Sequence, residues 1–420
     1  MKTLVLIGAG ARGMIYARRI QTSGRARIVA VAEIKADRRE RAMRELGLTE
    51  KDIYNHADDL LAAGRLADAC IIATQDRDHY DEAVKALKLG YDLLLEKPIS
   101  PSAEECVHIA RLAQENGCRV AVCHVLRYAP FFVALKEIID SGELGRVIEI
   151  QHNENIGNFH MAHSFVRGNW RNTEESSPII LAKSCHDLDL LVWLVGDKCR
   201  SVASFGDLTY FKEANAPQNS AARCLDCPAA ENCRFDARKC YMDNIGSWPT
   251  TALTLDQTEE GVLKALREGP YGRCVYRCDN DVCDHQVTLL QFENGVTATF
   301  NLSAFTTRVA RTMKIMCEHG EIRASETAGC IEVIPFTSTG TAQINARTIY
   351  PARGGKGHGG GDEGIVQALL DMLEDDSAQM STNIAASIES HLMAEAAERS
   401  RHEHRVVDVA EIRERKIYHE

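Results

Sequence analysis

Three groups of residues in this chain have the types and spacings that chemistry needs. The first is Gly8-Ala9-Gly10-Ala11-Arg12-Gly13, set between the apolar run Thr3–Ile7 and the helix-like Met14–Ile20. Gly8 permits a tight turn, Gly10 lets backbone approach a pyrophosphate, and Gly13 lets helix and strand pack closely. The backbone N–H groups at the helix start, around Ala11 and Arg12, can then bind phosphate. The second is Glu96-Lys97-Pro98, where Lys97 is a candidate for moving the hydroxyl proton of an alcohol that loses hydride. A positive nicotinamide ring beside it would lower the lysine's pKa towards that task. The third is Cys224, Cys227, Cys233 and Cys240, a Cys-x-x-Cys pair and two further thiols that suit a closed structural zinc site. Cys274 and Cys278 compete for the fourth position, and an iron–sulfur cluster or no metal are the alternatives.

These groups need elements to hold them. A second apolar run, Arg27–Glu33, ends in a carboxylate twenty residues past Gly13, the distance at which an acid accepts the ribose hydroxyls of NAD. Glu33 would repel a 2′-phosphate and so favours NAD, while Arg38 and Arg39 keep NADP open as the lesser choice. Strands at Ala69–Thr74, Tyr91–Leu95 and Arg119–Val122 alternate with helices at His79–Leu89 and Ala103–Asn116. Such alternation predicts a doubly wound parallel sheet, a Rossmann domain over residues 1–123. Its ligands lie beyond the carboxyl ends of the strands. That selects Thr74, Gln75, His79, Glu96, Lys97 and His124 as the residues near a bound nucleotide.

Composition agrees with an α/β enzyme. The 420 residues carry 45% hydrophobic and 26% charged side chains, and 49 basic against 60 acidic residues give a net charge of −11. Nothing in that balance favours nucleic acid or an anionic membrane as partner. No segment approaches the roughly 18 apolar residues of a membrane span. The start, Met1-Lys2-Thr3, leads at once into a short strand, unlike a secretory signal, so a cytoplasmic location is expected. In a reducing compartment 15 cysteines imply metal ligation or packing more than disulfides.

The glycine turn with Glu96-Lys97-Pro98 resembles the Gfo/Idh/MocA oxidoreductases. Leu126-Arg127-Tyr128, Trp170-Arg171, the run Cys185–Leu191 and Gly359-Gly360-Gly361-Asp362 extend the likeness over nearly the whole chain, except about 212–272. The resemblance implies a homodimer or homotetramer and places Trp170 and Arg171 at the cofactor. It also implies a substrate-facing helix in which an aspartate precedes a histidine by four residues. His186 matches the histidine, acting with Lys97 in proton transfer, but Ala182 stands where the aspartate belongs. The neighbouring Lys183 occupies a similar helix face, and two ammonium groups in one cavity would depress each other's pKa, making one a candidate base.

Residues 124–420 read as an α+β domain with an open, mostly antiparallel sheet. Alternation begins near Val147 and continues in strands 286–292, 297–303, 312–317 and 321–325, with Asn294-Gly295 turning a hairpin. Helices are expected at Asp362–Leu373 and Ile384–Ser400. Arg127 and Tyr128 open this domain at the hinge and are candidate substrate contacts, as is His163 in the polar loop that also carries His160. The insertion at about 212–272 has few apolar runs, so a structural metal would stabilise it.

The leading expectation is an NAD-dependent oxidoreductase acting on a secondary alcohol of a sugar, sugar derivative or cyclitol. The alternative is a redox glycoside hydrolase, which oxidises the sugar transiently, eliminates the glycosidic oxygen, adds water and returns the hydride from the same bound cofactor. A cofactor-sensing regulator without turnover is a third reading, opposed by Lys97 and His186.

Overall fold

The computed structural model describes residues 1–338, 345–355 and 357–414. Its first sheet is built from β1 (Lys2–Ile7), β2 (Ala26–Ala32), β3 (Ile53–Tyr54), β4 (Ala69–Ile72), β5 (Asp92–Leu95) and β6 (Val120–Val122). All neighbours pair in parallel in the order β3-β2-β1-β4-β5-β6. That order reverses direction between β1 and β4, and the crevice at such a switch point is where dinucleotides bind. Helices α1 (Ala11–Ser23), α2 (Ala36–Leu46), α3 (Ala57–Ala62), α4 (His79–Lys88) and α5 (Ala103–Glu115) cover both faces. With both faces covered, a strand has no solvent side. Leu4, Val5, Leu6 and Ile7 are accordingly all buried, which is why β1 reads as a continuous apolar run instead of an alternation.

After α6 (Pro130–Asp140) the chain enters the second sheet at β7 (Val147–Asn155). Next come the short turn α7 (Asn158–His160), a π-helical segment Met161–Arg167, α8 (Ile179–Ala182), α9 (Cys185–Val195) and β8 (Cys199–Asp207). The insertion carries α10 (Ala237–Met242) and α11 (Glu259–Glu268) before β9 (His285–Phe292), β10 (Thr297–Ser303), β11 (Ala310–Cys317), β12 (Gly320–Ser325), β13 (Cys330–Pro335) and β14 (Arg347–Ile349). The chain then closes with α12 (Gly361–Glu374), α13 (Ile384–Glu403), β15 (Val407–Asp408) and α14 (Ala410–Arg413). Nine strands lie in the order β14-β13-β12-β11-β7-β10-β9-β8-β15, all antiparallel except β10 beside β7. The expected hairpin turn is present, with Gly295 at φ +87°.

The two lobes share elements. Ile365, Val366, Leu369 and Leu370 of α12 pack into the same core as Leu4, Met14 and Ile20, so this C-terminal helix completes the first lobe. Helix α13, capped by Asn383 accepting the Ala386 N–H at 3.1 Å, runs between α5 of the first lobe and α9 and β8 of the second. The insertion has a small hydrophobic core of its own, Cys224, Ala237, Tyr241, Val262 and Leu266, in a segment where few apolar runs had suggested a stabilising metal.

Candidate active site

The glycine turn has the shape a pyrophosphate needs. Gly8 sits at φ +89°, and a Cβ there would stand 2.6 Å from the Ala73 carbonyl oxygen; at Gly13 it would stand 2.0 Å from the Gly8 oxygen. Gly10 leads α1 with no side chain over its N–H groups, and a Cβ there would meet nothing nearer than Arg38 Nη1 at 3.6 Å. An uncapped helix start behind a side-chain-free turn fits a dinucleotide's phosphates. Glu33 ends β2 with Oε1 accepting the Lys35 N–H at 2.9 Å, and its other oxygen has no protein partner among the described residues.

Glu96 organises the strand end that carries Lys97. It is buried, and Oε1 accepts from Arg12 Nε at 2.8 Å and from the Tyr16 hydroxyl at 2.6 Å, while Oε2 accepts the Lys97 N–H at 2.9 Å. Burial alone would raise this carboxyl's pKa, but Arg12 and Lys97 hold it below the ordinary value. The Arg12 side chain has a structural task beside the phosphate contact expected of its backbone N–H. Its guanidinium spans from Glu96 to Asp362 at 2.8 Å and so ties the glycine turn to the start of α12. Asp362 in turn holds His358 Nδ1 at 2.9 Å, and the His358 ring lies 5.7 Å from that of His186. His79 Nδ1 is 2.7 Å from the Pro98 carbonyl and so braces the Lys97-Pro98 loop.

Lys97 reaches across the lobes, donating from Nζ to the Ala182 carbonyl at 2.8 Å. Ala182 and His186 do not share one helix as the resemblance implied. Helix α8 stops at Ala182, Lys183 and Ser184 form a break, and α9 begins at Cys185. The break frees the carbonyl that Lys97 grips. His186 is buried with Nδ1 unpartnered, and burial together with the charge of Lys97 pushes its pKa well below the ordinary histidine value. It is therefore neutral near pH 7 and able to take a proton. His124, also buried and neutral, separates it from His391, with ring centroids at 5.9 and 5.8 Å.

Lys183 is not a bare second ammonium. Its Nζ pairs with Glu154 at 3.1 Å, Glu154 pairs with Arg311 at 2.8 Å, and Arg311 pairs with Asp187 at 2.7 Å. His152 Nε2 meets the same Asp187 oxygen at 2.8 Å. This buried network lies under α9, and sequence reasoning missed it. A signal existed, because His152 and Glu154 are alternate residues of β7 and so share its inward face, and Arg311 of β11 stands directly opposite Glu154.

The other candidate contacts each have partners within the protein. Arg127 forms a buried two-bond pair with Asp189, both contacts at 2.7 Å, and also donates to the Ser381 carbonyl. Tyr128 meets Thr382 Oγ1 at 3.1 Å, which seals the hinge. Arg171 pairs with Asp279 and Glu175, both at 2.8 Å. Trp170 Nε1 donates to Asp76, which also accepts from Ser176 and Ser177; Asp76 follows β4 next to Gln75, so this clamp joins the lobes. His163 Nδ1 lies 3.0 Å from the Tyr241 hydroxyl.

Thr74 donates to Glu82 at 2.6 Å, and burial pushes the Glu82 carboxyl up to about 8. A folded-state pKa above the unfolded one gives stability that is complete below about pH 4.5 and is lost as pH rises to about 8. Glu82→Gln, which mimics the protonated acid, should therefore melt near the native chain at pH 5 and about 5 °C above it at pH 9. A melting difference that does not change with pH would sink this assignment.

The zinc expected at the cysteines is not supported. Cys224, Cys227, Cys233 and Cys274 line one narrow cavity with Arg167, while Cys240 and Cys278 lie outside its lining. All 15 cysteines are free thiols, and among the described residues no group of three or more His, Cys, Asp or Glu side chains could hold an ion. A protein cation reaches this cavity instead. The buried Arg167 guanidinium donates to Cys224 Sγ at 3.4 Å and to the Phe235 and Arg273 carbonyls at 2.7 Å.

Comparison with known proteins follows the same division into lobes. Residues 2–124 match the oxidoreductase family's NAD-binding Rossmann fold and residues 136–409 its C-terminal alpha/beta domain. A Bacillus subtilis (strain 168) protein, YteT, whose name assigns it provisionally as an oxidoreductase, is 25% identical over 319 residues, 72% of each chain. An inositol 2-dehydrogenase of Klebsiella pneumoniae (strain 342) is 29% identical over 204 residues, 47% of this chain and 56% of its own. The match to the inositol dehydrogenase thus spans little more than half of that relative. Levoglucosan dehydrogenase, solved with NADH and levoglucosan, superposes at TM-score 0.71 with 17% identity, covering 97% of this chain and 99% of that one. An Agrobacterium radiobacter oxidoreductase, solved with NAD+, L-tartaric acid and magnesium, gives 0.69 and 16%, covering 98% and 99%. At such identities the likeness is one of fold. With both of its domains matched, the chain belongs to the Gfo/Idh/MocA oxidoreductase family.

Proposed function

We propose that this protein is an NAD-dependent dehydrogenase that oxidises a secondary alcohol of a sugar, sugar derivative or cyclitol. The observation that carries the reading is the convergence of Lys97, His186 and the open glycine turn on one edge of the parallel sheet. The dinucleotide, held by the glycine turn and Glu33, supplies the hydride acceptor. The protein's residues do the rest. Lys97, its ammonium fixed on the Ala182 carbonyl of the second lobe, stabilises the hydroxyl oxygen as negative charge develops there. Neutral His186 accepts the hydroxyl proton, which its depressed pKa allows at neutral pH. Glu154 holds Lys183 at the missing aspartate's neighbouring position, so a carboxylate is still present at one remove. The dehydrogenase names among the relatives support the sugar and cyclitol class, and Glu33 supports NAD over NADP.

Purified protein incubated with NAD+ and a panel of free sugars and inositols should produce NADH with at least one of them, faster than with NADP+. Release of an aglycone from glycosides without net NADH would instead establish the redox hydrolase. The working form is proposed as a homo-oligomer of two or four copies through the sheet face that leaves Ile148, Phe205, Val287 and Leu289 exposed. A monomeric mass by light scattering would remove that part.

A further inference from the structure

The insertion does more than decorate the second lobe, because its aromatic residues reach the catalytic side. Trp248 stands edge-on to His160 and His163, with ring centroids 5.2 Å from each, and 6.0 Å from Phe159. His163 stacks on Tyr271 at 4.8 Å and 17°. Three rings thus fix the indole, yet 51% of Trp248 remains exposed. A pinned, uncovered indole is a preorganised apolar surface with a polar N–H at its rim, and the C–H face of a sugar ring is its natural complement. The connection to the catalytic groups runs through His160. This side chain touches the Trp248 indole and feels the charges of Lys183 and Lys97, and its Nδ1 is buried without a partner.

We propose that Trp248, with His160 beneath it, forms a second saccharide subsite, so that the oxidised alcohol belongs to one ring of a glycoside whose second sugar ring packs on the indole. This rests on the sugar-oxidation reading above and names its substrate class. The test is the ratio of kcat/KM for cellobiose, maltose and lactose to that for glucose and galactose, with NAD+, in the native chain, Trp248→Ala and Trp248→Phe. At least one disaccharide should be preferred by the native chain, and its ratio should fall about tenfold in Trp248→Ala and recover mostly in Trp248→Phe. An unchanged ratio overturns the subsite. So does a change in oligomeric mass for Trp248→Ala, which would assign the indole to contact between copies. Titration of the NAD+-loaded protein with the same disaccharides, followed by tryptophan fluorescence, separates the two claims. Quenching in the native chain that is absent in Trp248→Phe, with no saccharide turned over, keeps the subsite and removes the dehydrogenase reading. Turnover of free sugars without any such quenching does the reverse.

Discussion

Lys97→Met is expected to lower kcat by about 10²–10⁴-fold while leaving NAD+ affinity within a few-fold of the native chain. The ammonium is placed by the Ala182 carbonyl at 2.8 Å and not by the nucleotide, so its removal should be felt where charge develops on the substrate oxygen. The same variant makes a second, signed prediction. Burial is the first cause of the low His186 pKa and the charge of Lys97 the second. Removing that charge raises the histidine's pKa towards its ordinary value, so the acid limb of the kcat/KM profile should move to higher pH. Single-turnover and steady-state profiles measured side by side read both effects. A normal kcat, or an acid limb that stays in place, would show that Lys97 and His186 do not share a reacting centre.

The strength of the Lys97 prediction reflects how much of this region is local in sequence. The glycine turn, Glu33 and Glu96-Lys97-Pro98 each follow a strand, and the parallel topology carries every strand end to one edge, so their convergence could be read from the alternation of elements. Partners that depend on register between distant strands could not. Arg311 meets Glu154 because β11 pairs with β7 across 157 positions of chain, and no periodicity within either strand fixes that pairing. The same limit explains Arg12 and Arg127. Both residue types suit a ligand, but Asp362 and Asp189, far off in sequence, neutralise them first. At the cysteines, spacing left the fourth thiol open among Cys240, Cys274 and Cys278; the structure puts Cys274 around the cavity with Cys224, Cys227 and Cys233 and adds Arg167, a cation that no spacing rule includes. The break at Lys183-Ser184 was hidden for a different reason. The side chains from Ile179 to Val195 suit a continuous buried helix, and only the turn of backbone that offers the Ala182 carbonyl to Lys97 interrupts it.

The largest loss of stability is expected at Asp187, one residue beyond the proposed base. Its carboxylate is wholly buried and serves Arg311 at 2.7 Å and His152 at 2.8 Å. Asp187→Ala leaves the Arg311 guanidinium with Glu154 at 2.8 Å and the more distant Glu326 at 3.7 Å, and Glu154 must then divide its charge between Arg311 and Lys183. Breaking a buried pair from one side costs about 3–5 kcal/mol, read as a fall in the urea midpoint. Double replacement with apolar residues would cost less, because no charge is left stranded. The pH dependence has a definite sign. Burial would raise this carboxyl, but Arg311 and His152 hold it well below the usual carboxylate range. A depressed folded-state pKa contributes stability above the unfolded value of about 4 and loses it as pH falls further. The gap between native chain and Asp187→Ala should therefore be constant from pH 8 to 5 and narrow below about 4. Activity should fall as well, since Lys183 and the start of α9 rest on the same network. A variant that keeps its urea midpoint but loses activity would instead place Asp187 in the chemistry itself, and a gap that widens in acid would reverse the charge assignment.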